Sequence, residues 1–137
     1  LADMDDFLEI INKRGNGALG EKMGIEILEA TPDRLVARMP VAGNTQPIGL
    51  LHGGANVVLA ESLGSIGTQL HAGEGRRIVG LDVNATHHKS ANSGYVVATA
   101  TAISLGKTLC SYEIIIQNEA GERTCTARIT CLILAER

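Results

Sequence analysis

With 137 residues the chain has room for one domain with a sizeable core, and a formal net charge of −3 argues against a nucleic-acid surface. Phe7, Tyr95 and Tyr112 are its aromatic residues, too few for the stacking platforms that single strands need. No apolar run reaches the roughly 18 residues of a membrane span, and the acidic start has no signal-peptide core, so a cytoplasmic location with no membrane partner is expected.

Residues 3 to 14 read as an amphipathic helix, with Met4, Phe7, Leu8 and Ile11 on one face, acids at its start and Lys13-Arg14-Gly15 at its end. It suits a lid or packing helix. Asn16-Gly17 and Gly20 predict a loop. Residues 23 to 30 and 34 to 41 alternate apolar and polar around Thr31-Pro32-Asp33, a hairpin signal in which Leu35, Ala37, Met39 and Val41 face one way. A loop over 42 to 51 then feeds a proline-free run from Gly53 to about His71. Ala55, Leu59, Ser62, Ile66 and Leu70 recur there at helical steps, and His71-Ala72-Gly73 supplies the stop. Gly53, Gly54, Ala55, Ala60, Ser62, Gly64, Ser65 and Gly67 are all small, although an interior glycine costs roughly 0.8 to 1 kcal/mol against alanine. Such a helix persists where other backbone crowds it, which places it inside a curved sheet.

After Arg76 the period becomes two. Val79, Leu81, Val83 and Ala85 alternate with Asp82, Asn84 and Thr86 as a half-buried strand, and Tyr95 to Ile103, Thr108 to Gln117 and Glu122 to Leu134 follow as three more. Leu105-Gly106-Lys107 and Asn118-Glu-Ala-Gly121 are tight turns, so these strands are antiparallel neighbours. The sum is an α+β chain forming one domain over 1–137: an antiparallel sheet wrapped around one long helix.

A charged Glu61 midway along an enclosed helix is costly unless something pairs or uses it. His52 lies nine residues earlier, on the opposite side and about 13 Å away along the axis, so one chain alone cannot bring the two together. Two such helices antiparallel about a two-fold axis can. Ser65 shares the Glu61 face. Read without further context, Glu61 is either a working carboxylate or a structural one paired to a cation, His52 a site residue or a helix cap, and Ser65 a hydroxyl in use or a small buried residue. His87 and His88 are adjacent on a strand and point to opposite faces, so they cannot chelate one ion and no metal is expected. Cys110, Cys125 and Cys131 form no Cys-x-x-Cys pair and read as reduced core thiols. Gly106-Lys107-Thr108 lacks the upstream glycine of a phosphate-binding loop, and no Gly-x-Ser-x-Gly elbow is present.

The runs Gln46-Pro-Ile-Gly-Leu-Leu-His-Gly-Gly-Ala, Leu-Ala-Glu61-Ser-Leu-Gly-Ser65, Val79-Gly-Leu-Asp-Val-Asn-Ala-Thr-His87-His-Lys89-Ser90 and Ser104-Leu-Gly106-Lys107 together resemble the hotdog-fold acyl-CoA thioesterases of the phenylacetate-pathway type. Within them the chain looks closest to the aryl branch, which includes the 1,4-dihydroxy-2-naphthoyl-CoA and 4-hydroxybenzoyl-CoA thioesterases and the proofreading thioesterase of enterobactin synthesis. The resemblance spans residue 20 or so to the end. It implies a hotdog fold and hydrolysis of an aromatic or similar acyl-CoA, with Glu61 as nucleophile or general base. It also implies a Gly53 N–H that polarises the carbonyl, Gln46 and His52 side chains that orient the thioester, and a Ser65 that positions water or the carboxylate.

By the same resemblance Gly80, His87, His88, Lys89 and Ser90, then Ser104, Leu105, Gly106, Lys107, Thr108 and Leu109, are candidates for coenzyme A contacts. Lys89 and Lys107 would meet its phosphates; two solvated lysines and a hairpin turn are the plainer alternative. The acyl pocket is expected between Phe7, Met23, the 42 to 51 loop and a partner subunit, with the Asn16 to Gly20 stretch near it. The assembly is expected to be a tetramer of two dimers with composite sites, needing no cofactor beyond the coenzyme A of its substrate. Two other functions fit less of the pattern. A hotdog hydratase or dehydratase would want a His-Phe-Pro-Gly type of run, whereas His52 precedes two glycines; a non-catalytic acyl-CoA-binding module would leave Glu61 vestigial.

Overall fold

A computed structural model describes residues 3–135. Helix α1 (Met4–Arg14) opens with a reciprocal cap: Asp6 N–H donates to Asp3 Oδ1 at 3.0 Å and Asp3 N–H to Asp6 Oδ2 at 3.2 Å. The stretch expected as a loop is instead a second short helix, α2 (Gly17–Met23), closed by Gly24 in the left-handed region at φ 74°. Its glycines disguise it. Gly20 is buried against Asn16, whose Nδ2 donates to Ile25 O at 2.8 Å, so packing holds a turn that propensity would not. Strand β1 (Glu26–Ala30) therefore starts later than the residue-23 boundary, and pairs with β2 (Arg34–Pro40) across Thr31-Pro32-Asp33. Leu35, Ala37 and Met39 are buried together with Val41 just beyond the strand, as their alternation predicts.

The long helix α3 (Gly53–Ala72) is followed by β3 (Ile78–His87), β4 (Tyr95–Leu105), β5 (Leu109–Gln117) and β6 (Arg123–Ile133). All strand pairs are antiparallel in one sheet of order β1-β2-β4-β5-β6-β3, and α3 packs across every strand but the first. This is the hotdog architecture. The small residues of α3 are explained by what faces them. A Cβ on Gly64 would overlap the Ile129 side chain, and one on Gly67 would lie 2.8 Å from Leu35 Cδ1 and 2.6 Å from Tyr112 Cζ. Among the described residues no helix is long and apolar enough to cross a membrane.

Two expectations about burial change. The enclosed face of α3 runs through Ala55, Asn56, Leu59, Ala60, Leu63, Gly64, Gly67 and Thr68, whereas Ser62, Ile66 and Leu70 lie on the partly open side with Glu61, which is exposed in the single chain. In β3 a bulge at Leu81 breaks the alternation, so Val79 and Leu81 point outward at 41% and 56% exposure while Ile78, Gly80, Val83, Ala85 and His87 sit opposite the inward row of β6. β3 is an edge strand, with β6 on one side and, among the described residues, no strand on the other. Cys110, Cys125 and Cys131 are all buried with free thiols, and burial pushes each thiol pKa up.

Candidate functional site

The start of α3 is set by a loop that folds on its own polar side chains. Buried Asn44 donates through Nδ2 to Met23 O and Pro40 O, both at 2.8 Å, and its carbonyl accepts from His52 N–H at 2.9 Å. Gln46 Oε1 accepts from Ile48 N–H at 2.6 Å and Leu50 N–H at 3.4 Å, which turns its amide NH2 outward as a free donor. Leu51 N–H donates to Ala91 O at 2.8 Å and pins the loop to the middle of the β3–β4 connection. His52 is the helix N-cap: Nδ1 accepts from Gly54 N–H at 2.8 Å, so the ring hydrogen belongs on Nε2. Capping and a ligand-facing donor are compatible in one imidazole.

Gly53 N–H is left over. It has no partner among the described residues, while Gly54 N–H goes to the His52 ring and Ala55 N–H to His52 O at 2.9 Å. An unused amide at the positive end of a helix dipole is a place for an oxygen that is gaining negative charge.

Glu61 lies on the same helix, eight residues on and thus about 12 Å along the axis from Gly53. Among the described residues it makes no hydrogen bond or ion pair. Its carboxylate rests against β3 at the one position without a side chain: a Cβ on Gly80 would be 3.5 Å from Glu61 Oε2. Glu61 and Ser65 open together onto a cavity of about 540 Å³ between α3, α1, α2 and Ile78. Ile10, Ile11, Ile25, Ile27, Val58, Ile66 and Leu70 make its walls. Of the residues expected around an acyl pocket, Asn16, Gly17 and Gly20 line this cavity, and Phe7, Met23 and the 42 to 51 loop do not. α1 contributes Ile10, Ile11 and Arg14 to its lining, while the helix itself packs on β1.

The coenzyme A candidates fall into two groups that one chain does not unite. His87 stands on the α3 side of β3 and is exposed in the single chain, with Asn56 Nδ2 at 3.3 Å from its Nδ1 and its ring against Gly53 at the start of α3. His88 turns the other way, Nε2 being 2.9 Å from Thr126 Oγ1, as adjacent strand residues must. Lys89 is ion-paired with Glu122, and Ser90 is exposed beside it. The turn from Ser104 to Leu109 lies at the far end of α3, where His71 Nε2 meets Gly106 O at 2.9 Å and Gly106 N–H donates to Leu109 O at 2.9 Å. Lys107 and Thr108 are exposed on that turn. Some 27 Å of helix separates His71 from Gly53.

Asn44 and Asn56 were not legible as site residues. Each is an ordinary polar residue in a loop or a first helical turn, and only the partners that burial supplies give it a role. Among the described residues no three His, Cys, Asp or Glu side chains gather as a metal ion would need.

Comparison with known proteins adds to this geometry. A family profile described as Thioesterase superfamily matches residues 48–125, from the loop before α3 to the start of β6. The chain is 40% identical over 128 residues to the proofreading thioesterase EntH of Cronobacter turicensis, with 93% of each chain covered. A crystal structure of a mutant thioesterase from Pseudomonas aeruginosa superposes with a TM-score of 0.86 at 38% identity, covering 97% of this chain and 94% of that one. Two mutant structures of a Staphylococcus aureus thioesterase superpose with TM-scores of 0.83 and 0.82 at 33% and 34% identity, each covering 85% of this chain and 98% of the other. One has a glutamine replaced by alanine and the other a glutamate, at positions fifteen apart, the separation of Gln46 and Glu61.

Proposed function

Since the chain belongs to the thioesterase superfamily, we propose that it hydrolyses an aromatic acyl-CoA to the free acid and coenzyme A. The observation that carries this reading is the Gly53 N–H, unpartnered among the described residues, at a helix start capped by the His52 ring and preceded by the loop that holds Gln46. Hydrolysis of a thioester moves charge onto the carbonyl oxygen, and donors already fixed in place stabilise that charge without reorganising. Glu61 supplies the other half of the chemistry. It either attacks the carbonyl carbon to form a mixed anhydride that water then opens, or takes the proton of an attacking water. In both routes the thiolate of coenzyme A leaves, and Ser65, one turn from Glu61, orients the carboxylate or the water.

The two halves meet between copies of the chain. β3 is a ten-residue strand with one edge unpaired, the kind of edge that pairs with another strand. Antiparallel pairing of two β3 edges about an axis near Val83 and Asn84 sets Gly80 of one copy across from His87 of the other. Because Gly80 lies against Glu61 and His87 against Gly53, the same pairing brings each carboxylate toward the other copy's helix start. It also carries the Ser104 to Leu109 turn of one copy toward His88, Lys89 and Ser90 of the other, so a coenzyme A nucleotide would draw on both groups. A tetramer of two such dimers is the assembly we assign.

The aliphatic cavity beside Glu61 takes the acyl group, and its isoleucine-rich walls suit a flat ring. The aromatic preference rests on this and on the sequence resemblance. A thiol-release assay across benzoyl-, hydroxybenzoyl-, hexanoyl- and palmitoyl-CoA tests it: the aroyl substrates are expected to have the highest kcat/KM. A preference for palmitoyl-CoA would overturn the aromatic assignment, and binding of all four without thiol release would overturn hydrolysis.

A further inference from the structure

Among the described residues Asn44, Asn56, Thr68 and Thr124 are buried polar side chains, and three of them are spent on ordinary structural bonds. Asn44 Nδ2 holds two carbonyls, Thr68 Oγ1 donates to Gly64 O at 2.8 Å, and Thr124 Oγ1 donates to Ile116 O at 3.2 Å. Asn56 is different. It is 5% exposed, its Oδ1 has no partner, and its Nδ2 lies 3.3 Å from His87 Nδ1. A buried carbonyl oxygen left without a donor is costly; turning the amide over would leave its NH2 unpaired instead and set Oδ1 against His87 Nδ1, so the ring tautomer reports which way the amide faces. As a packing residue Asn56 is a poor choice for a face otherwise made of alanine, leucine, glycine and Thr68, whose hydroxyl is satisfied.

The far edge of the His87 ring shows what the amide is holding. A Cβ on Gly53 would lie 2.9 Å from His87 Nε2, with Cε1 at 3.2 Å and Cδ2 at 3.3 Å. The imidazole is therefore lodged between Asn56 and the first residue of α3, its Nε2 at the residue whose N–H is unused. An amide that donates to Nδ1 requires a lone pair there, which leaves the hydrogen on Nε2.

We propose that His87 is a further hydrogen-bond donor to the reacting thioester, acting through Nε2–H beside the Gly53 amide, and that Asn56 is the positioning residue that selects this tautomer and fixes the ring. The assignment rests on the hydrolysis reading above. A neutral imidazole free to turn or to move its hydrogen to Nδ1 presents a lone pair to a developing oxyanion for part of the time, which repels where a donor would attract. The Asn56 amide removes that state before substrate arrives, and preorganisation of this kind is where such donors gain their effect. Glycine at 53 is needed twice over: for the approach of substrate to its amide, and for the room that His87 occupies.

The test joins kinetics to the ring itself. Nitrogen NMR of His87 in the intact protein is expected to show a protonated Nε2 and a bare Nδ1, and Asn56→Ala to give a mixture of tautomers. In thiol release, His87→Ala should lower kcat by on the order of 10²- to 10³-fold, with KM little changed, and His87→Gln, which keeps a donor, should recover part of the loss. Asn56→Ala should lower kcat about 10-fold, and the double variant should be no worse than His87→Ala alone, because the amide acts only through the ring. Asn56→Ser serves if the alanine variant does not fold. Losses that multiply in the double variant, a change confined to KM, or an unchanged tautomer in Asn56→Ala would overturn the proposal. A wild-type protein that releases no thiol but keeps the Nε2–H tautomer would sink the hydrolysis reading and the donor role with it, while leaving the Asn56–His87 pairing in place.

Discussion

Glu61 has two descriptions that the fold reconciles. By sequence it is an acid in the middle of a helix of small residues; in the single chain it sits on the open side of that helix, against Gly80 and the wall of the cavity, without a cation. A carboxylate that no cation engages is available to substrate and water, which is what the proposed reaction asks of it. Replacing Glu61 by alanine is expected to leave the fold intact and lower kcat by on the order of 10²- to 10⁴-fold, the range for losing a positioned acid or base. Steady-state thiol release together with a thermal melt checks both halves of that statement, and turnover at the wild-type rate would remove Glu61 from the chemistry. The motif around it was readable because it is local, a contiguous loop and helix start. Asn56 was not, since nothing in its neighbours reveals that His87, 31 residues on, will be 3.3 Å away.

Among the elements, α3 shows how composition encodes contact. Its glycines lower helix propensity, yet Gly64 and Gly67 are where Ile129, Tyr112 and Leu35 press closest. Gly64→Ala would gain roughly 0.8 to 1 kcal/mol of propensity and lose more through displacement of Ile129, about 1 to 3 kcal/mol for an overpacked core. Urea denaturation should therefore show a net loss, and Ile129→Ala should relieve the clash term in the double variant. The β5–β6 turn permits a pH prediction. The hydrogen bond and charge of Lys89, followed by the Asn118 side chain, hold the Glu122 carboxyl below its ordinary 4.5. A depressed carboxylate stabilises the fold above its unfolded pKa and loses that contribution as pH falls through the folded value. Chemical denaturation of wild type and Glu122→Gln should thus differ at neutral pH and converge in acid as pH falls through the lowered folded-state value; a constant difference would show that the ionised pair contributes nothing. The element that sequence periodicity misjudged was α2, because a glycine-bearing turn held by packing and by the Asn16 bond to Ile25 O looks like a loop when read locally.

At the scale of the whole molecule, Gly53 and Glu61 lie about 12 Å apart along one helix, so in the proposed reaction each chain supplies two half-sites. Mixing an inactive His52→Ala protein with an inactive Glu61→Ala protein is expected to restore activity, because one of the two composite sites in a mixed dimer then keeps both halves. Return of up to about half of the wild-type rate per mixed dimer is the most that a two-fold interface allows. Demonstrated subunit exchange with no recovery would show that each site is built within a single chain. The same measurement bears on coenzyme A, whose candidate contacts lie at opposite ends of α3 and can be joined only across such an axis.

The sequence by itself determined the strands from their alternation, the long helix from its period, the turns from glycine and asparagine, and the loop and helix start that bear the Gly53 amide. These depend on residues within a few positions of one another, and local sterics and hydrogen bonding decide them. Only the tertiary structure decided that residues 17 to 23 coil into α2, that a bulge at Leu81 turns β3 over, that α1 helps line the cavity beside Glu61, and that Asn56 grips His87. Each of these turns on which surfaces meet after the chain has folded back on itself, and burial, which sets the cost of every unpaired polar group, exists only once they have met.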